Sequence, residues 1–149
     1  MLVGCVQTFG LDDPELEDGA GNGTPRTCTG TFANGSCYEW NAGPVTWSAA
    51  RDRCASQGSQ LAKTESAVAL TAVASLVFPG DDAYIGASNG NDLAYEWIDG
   101  THVVFSGWLP FNPDDLAGQC MTVTNAAPAF GWENTPCGVP LPFVCERPI

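Results

Sequence analysis

The sequence predicts an α+β domain stapled by disulfides. Three observations lead there. Two segments with helical apolar spacing come first. Short strand-like pieces separated by Gly-, Asn-, Asp- and Pro-rich loops follow. Seven cysteines occur without a single Cys-x-x-Cys pair. Helices first and strands afterwards segregate the two kinds of element, unlike the alternation of a parallel α/β sheet. The 149 residues suit one domain, long enough to bury about two thirds of its unfolded surface.

Taken in order, Thr46 can cap a first helix that carries Trp47, Ala50 and Cys54 and is ended by Gly58. Ser66 can cap a second, with Ala67, Leu70, Val73, Leu76 and Val77 as its apolar face and Pro79-Gly80 as its stop. Strand-like pieces then fall at Ala83 to Ala87, Tyr95 to Ile98, Val103 to Phe105, Met121 to Thr124 and Pro142 to Glu146. Asp99-Gly100 has hairpin-turn chemistry. The stretch from Asn89 to Gln119, above all from Ser106, is irregular and rich in oxygen-bearing side chains. Long loops of that kind tend to carry function. Residues 6 to 27 differ again: Asp12, Asp13, Glu15, Glu17 and Asp18 precede a glycine-rich run, which predicts a flexible tether over 1–27 and a globular domain over 28–149. No internal repeat is visible.

Seventeen acidic residues against five basic ones give a formal net charge of −12. That excludes nucleic acid, which needs clustered cations, and an anionic membrane surface. No run of about twenty apolar residues could span a bilayer. The only histidine, His102, is remote from every cysteine, which argues against zinc and for structural disulfides in an oxidising, extracellular setting. Six cysteines between Cys28 and Cys145 can form three bridges, with about fifteen connectivities open. Cys5 is left over. Leu2-Val3-Gly4-Cys5 resembles a bacterial lipobox, whose cysteine is lipidated, and the other reading is a free or intermolecular thiol. Either way the protein is expected to be secreted or tethered at the cell surface. Acid pairs such as Asp81-Asp82 or Asp114-Asp115 could in principle serve a glycosidase, but so small a domain offers no deep, dry cleft to raise one pKa, and no enzyme is expected.

Together these pieces resemble the long form of the C-type lectin-like domain, over about residues 28 to 149. The resemblance rests on Cys37-Tyr38, Trp47 with Ala50 and Cys54, Gly58, Leu61-Ala62 and Tyr84-Ile85-Gly86-Ala87. It continues through Trp97-Ile98-Asp99-Gly100, Trp108, Cys120, Trp132, Cys137 and Phe143-Val144-Cys145-Glu146. It implies two helices, two small antiparallel sheets, a long calcium-binding loop region, and the bridges Cys28–Cys37, Cys54–Cys145 and Cys120–Cys137.

In sugar-binding members, a loop Glu-Pro-Asn or Gln-Pro-Asp with a cis proline and a later strand Trp-Asn-Asp hold one calcium ion. Vicinal sugar hydroxyls complete its shell. The matching positions here are Asn112-Pro113-Asp114 and Trp132-Glu133-Asn134. The resemblance therefore implies Ca2+ and carbohydrate at Asn112, Asp114, Glu133 and Asn134. Two carboxylates and two carboxamides offer the hard oxygens calcium takes. Acid and amide are exchanged in the strand, and Gly118 stands where the family often has a further carboxylate. The amide-first, acid-second order of Asn112 and Asp114 is that of galactose binders, so galactose-type sugars are favoured over mannose-type ones. Trp108 or Phe111 could stack on the sugar, since Leu116 holds the place where many galactose binders put tryptophan. A second calcium position falls on Asn89, Asp92 and Asp115, where turn-shaping is the competing role, and Glu146 offers a further, structural one. Monosaccharide affinity should be millimolar, with multivalency, including a homo-oligomer, supplying avidity. The rival expectation is a calcium-independent lectin-like domain that binds a protein partner or acts as an adhesin.

Overall fold

The computed structural model describes residues 27–116 and 118–149. The tether, the lipobox-like start and Cys5 lie outside the described residues. The elements in chain order are β1 (Thr31–Ala33), β2 (Ser36–Val45), α1 (Trp47–Ser56), β3 (Gln60–Leu61), α2 (Ala67–Ala74), β4 (Asp82–Ser88), β5 (Glu96–Trp97), β6 (Gln119–Ala126), β7 (Ala129–Pro136) and β8 (Leu141–Pro148).

Both helices start where their caps predict. The Thr46 Oγ1 accepts from Ala49 N at 3.4 Å, and the Ser66 Oγ accepts from Ala69 N at 3.2 Å. The second helix is shorter than its apolar spacing suggests. Leu76 N and Val77 N bond Val73 O and Ala74 O, three residues back, so the last turn tightens while Val77 stays buried.

Strand order is β1-β2-β8-β4-β6-β7, with β3 on β8 and β5 on β4. The two expected sheets correspond to the β1-β2-β8 and β5-β4-β6-β7 groups. They are not separate: the parallel pair Tyr84↔Phe143 joins them into one hydrogen-bonded sheet. Both residues are buried in the same core cluster, which is the packing reason for the junction. Val103 to Phe105 is not a strand. Only the bridge Glu96↔His102 forms nearby, and Val104, 90% exposed, has no partner strand to cover it. Residues of β1, β2, β3 and β7 carry regular pairing that apolar alternation alone does not announce.

The three bridges Cys28–Cys37, Cys54–Cys145 and Cys120–Cys137 form as the resemblance implies. The second ties α1 to β8 across 91 positions, and the third ties β6 to the residue just after β7. Trp132 is the hub of the larger core. Its ring is fully buried, and Trp97, Phe105 and Trp108 meet it edge-on at 5.9, 5.6 and 5.5 Å. Its Nε1 donates to Thr64 Oγ1 at 2.8 Å, so the indole's only polar atom is satisfied inside.

Candidate functional site

The site grows out of that hub. The segment Gly107–Leu109 lies along β7: Trp132 N donates to Gly107 O at 2.8 Å and Leu109 N donates to Trp132 O at 3.0 Å. The approach is close enough to require glycine. A Cβ on Gly107 would sit 2.7 Å from the Leu70 side chain, and one on Gly131 would sit 2.7 Å from Gly107 O. Leu109 then starts the turn that delivers the predicted loop. Asn112 N donates to Leu109 O at 3.1 Å, and its Nδ2 donates to Pro110 O at 3.1 Å. The Asn112-Pro113 peptide is cis, as the resemblance implies.

The next residue meets the strand. Asp114 N donates to the Asn134 Oδ1 at 3.1 Å, while the Asn134 Nδ2 donates to the Asp114 carboxylate. One carboxamide thus engages one aspartate at both ends. Glu133 precedes it on β7 and pairs in register with Thr122, whose hydroxyl donates to the Glu133 carbonyl at 3.3 Å. Among the described residues its carboxylate has no hydrogen bond or ion pair. Asp114 is exposed, and Asn112, Glu133 and Asn134 are half-buried. The structure therefore joins Asp114 to Asn134 directly, with Asn112 two residues upstream on the loop and Glu133 beside Asn134 on the strand.

Tyr95 belongs here too, although nothing in its sequence position signals it. Its ring stands edge-on to Trp108 at 5.0 Å. Burial first, then the nearby Asp114 charge, push its phenol up to about 12 against a downward pull from the Asn134 side chain.

The second predicted calcium position is arranged otherwise. Asn89 is 2% exposed, and its side chain spans the loop base, with Nδ2 donating to Leu116 O at 2.5 Å and Oδ1 accepting from Gln119 N at 2.8 Å. Asp92 accepts from Ala94 N at 3.2 Å, a local turn, and Asp115 is exposed. Both polar ends of Asn89 are thus committed to main chain. Glu146 is likewise engaged, accepting from Ser36 Oγ and Lys63 N, each at 2.8 Å.

Gly118 explains its own missing carboxylate: at φ 72° its backbone lies in the left-handed region, where most side chains are strained. Among the described residues, no three Asp, Glu, His or Cys side chains gather as a metal cluster. The candidate set instead mixes two carboxylates with two carboxamides, a donor chemistry that fits calcium and suits softer metals poorly. A groove of about 610 Å³ lies elsewhere, between Trp47 and Arg51 of α1 and the Asn89–Gly100 loop, and does not include the four site residues. Their face is open, suited to gripping the edge of a ligand.

Comparison with known proteins settles the family. The family model for the lectin C-type domain matches residues 43–147. The chain belongs to the C-type lectin domain family. The human (Homo sapiens) C-type mannose receptor 2 is 29% identical over 121 residues, 76% of this chain but 8% of that relative, so the chain spans a small fraction of it. Among solved structures, a calcium-independent type II antifreeze protein superposes with a TM-score of 0.71 at 28% identity, covering 79% of this chain and 90% of that one. A complex of SPL-1 with GlcNAc superposes with a TM-score of 0.68 at 27% identity, covering 78% and 90%. In this C-type lectin domain, the loop-and-strand face built on Trp132 carries the four candidate oxygen-bearing residues. No helix among the described residues is long and apolar enough to cross a membrane.

Proposed function

We propose that this C-type lectin domain binds carbohydrate through one calcium ion, with galactose-type sugars favoured over mannose-type, and works outside the cell, secreted or tethered at its surface. The observation that carries this reading is the direct pairing of Asp114 with Asn134, which brings the predicted loop and strand oxygens together on an open face. Asn112, Asp114, Glu133 and Asn134 would hold the ion. Bound calcium supplies a positive centre that draws two vicinal sugar hydroxyls into its shell. The chain's own part is to present acceptors from the two carboxylates and donors from the two carboxamides to those hydroxyls. Similarity to a GlcNAc complex and to a mannose receptor supports sugar as the ligand class. Three disulfides support the oxidising location. Binding rather than catalysis fits the open face: among the described residues no Asp or Glu is buried, as a raised catalytic pKa would need.

Immobilised galactose and mannose, each with calcium and with EGTA, test the reading. Retention on galactose that EGTA abolishes is expected, and Asp114→Ala should remove it while the far-UV circular dichroism spectrum stays unchanged. Retention indifferent to EGTA, or none at any calcium level, overturns the proposal. It would favour the second reading, a calcium-independent domain for a protein partner or for adhesion. That reading draws on one observation in particular: Asp114 and Asn134 already satisfy each other without an ion. Gly118 in place of a carboxylate and the similarity to a calcium-independent antifreeze protein point the same way.

A further inference from the structure

We propose that the groove beside α1 holds the further residues of a neutral oligosaccharide whose terminal sugar is gripped at Asp114 and Asn134. The ligand of this domain is then an extended chain of galactose type and not a lone monosaccharide. This rests on the sugar-binding reading above. The groove measures about 610 Å³, within the roughly 300–1,000 Å³ of small-molecule clefts, and none of the four site residues lines it. Its Asn89 end nevertheless belongs to the same loop. Asn89 and Gly90 line the groove, and both are bonded to the segment that follows Asp114. Asn89 Nδ2 donates to Leu116 O at 2.5 Å, and Gly118 N donates to Gly90 O at 2.8 Å. Leu116 is two residues past Asp114, a span of at most about 7 Å, so the groove opens one loop base away from the gripping face.

The lining has the chemistry a sugar ring asks for, a carbon surface for one face with donors and acceptors for the hydroxyls. Trp47 and Arg51 stand one turn apart on α1 and share its face toward the groove. The Trp47 Nε1 donates inward to Ile85 O at 2.9 Å, so what the ring offers the groove is carbon. Arg51 uses only its Nε, on the neighbouring Asp52 at 3.0 Å, and both Nη groups remain as donors. On the sheet side, Ser88 and Glu96 are register partners of β4 and β5, which puts a hydroxyl beside a carboxylate. Asn91 adds a carboxamide that no other described residue engages. Arg51 and Glu96 both line the groove, yet their ionic partners are Asp52 and His102 and not each other. That leaves a donor and an acceptor for hydroxyls seated between them. Glu96 and the chain's net charge of −12 disfavour an acidic sugar, which makes the fitting chain a neutral one.

The test is competition on a galactose resin in calcium chloride, using the full chain, with free galactose and with galactotrioses linked β1,3 and β1,4 as inhibitors. At least one trisaccharide should inhibit roughly tenfold better than galactose, the gain expected of a few open contacts. Arg51→Ala combined with Glu96→Gln should cut that advantage to less than about twofold and leave inhibition by galactose itself unchanged. Both side chains are about half exposed, at 45% and 51%, so the fold does not depend on them. Three outcomes overturn the groove alone: no advantage for either trisaccharide in the wild type, an advantage that the double variant keeps, or a loss that galactose shares equally. A wild-type chain that the resin does not retain in calcium overturns both this inference and the function it rests on.

Discussion

Phe111 is held at φ 67° with its side chain wholly exposed, one position before the cis Asn112-Pro113 bond. A bulky residue in the left-handed region costs on the order of 1–3 kcal/mol, and here no burial offsets it. Under the proposed function, an exposed aromatic ring on the loop that carries Asn112 and Asp114 would suit the apolar side of a galactose ring. Trp108, the other stacking candidate, is packed between Tyr95 and Trp132 and is not free to serve. Phe111→Ala should weaken galactose binding roughly two- to tenfold, measured by competition on a galactose resin, and leave the melting temperature within a degree or two. An unchanged inhibition curve would show that the ring touches no sugar. Asn112, Asp114, Glu133 and Asn134 can be read from sequence as candidates, because four oxygen-bearing residues fall on a loop-and-strand pattern. The packing of Tyr95 on Trp108 cannot, because it depends on how the chain between them folds back.

At the scale of elements, the long loop is governed by one buried carboxamide. Asn89, just past the end of β4, ties Leu116 and Gln119 to that strand, and two backbone bonds reinforce it: Asn89 N to Gln119 O at 3.0 Å and Gly118 N to Gly90 O at 2.8 Å. Asn89→Ala should cost about 1–3 kcal/mol, since it removes both buried side-chain hydrogen bonds that span the loop base. Thermal unfolding should fall by several degrees, and calcium affinity with it, because the same loop carries Asn112 and Asp114. Asp92→Ala, which removes only a local turn contact, is the control and should leave both unchanged. The helices were readable from Thr46 and Ser66, whose capping acts over three residues. The start of α2 is legible and its end is not, because Val77 is buried without being helical, and periodicity reports burial rather than hydrogen bonding. Strand β2 is not legible for a related reason: its residues pair with β8 about a hundred positions away, a contact local pattern cannot encode. The union of the two strand groups at Tyr84↔Phe143 is likewise a tertiary event.

For the whole molecule, the pH dependence of stability follows from three groups. Lys63 Nζ lies 2.5 Å from Asp99 and 3.1 Å from Glu65. The bond from Lys63, then those from Thr101, hold the Asp99 carboxyl well below the usual carboxylate range. A hydrogen bond from Thr29 does the same for Glu39, against a smaller upward effect of burial. Lys63 itself is lowered by burial but raised on balance by its two acidic partners. The depressed carboxylates contribute stability that is complete above about pH 5 and is lost as the pH falls through and below about 4. The raised lysine contributes stability that is complete below about pH 9 and is lost above its ordinary range near 10.4. Melting temperature should therefore be level between about pH 5 and 9 and fall on the acid side. Asp99→Asn should flatten part of that fall, modestly, because the side chain is 41% exposed and solvent screens the pair. An identical acid slope in the variant would remove Asp99 from the account. Self-repulsion among the acids changes with pH in both proteins and differs between them by the single charge the substitution removes, sixteen acids against seventeen.

The route of the chain through the sheet also fixes how the domain can be mounted. Arg147 reaches Thr27, and Ile149 N bonds Gly35 O at 2.9 Å, so entry and exit share the β1–β2 margin. Asn134 sits on β7, the opposite margin of the strand order, and Asp114 meets it there from the loop. A leash at either end, a bead surface or a neighbouring module in a string of such domains would hold the protein from behind. The gripping face would then point outward, ready to meet ligands in ranks.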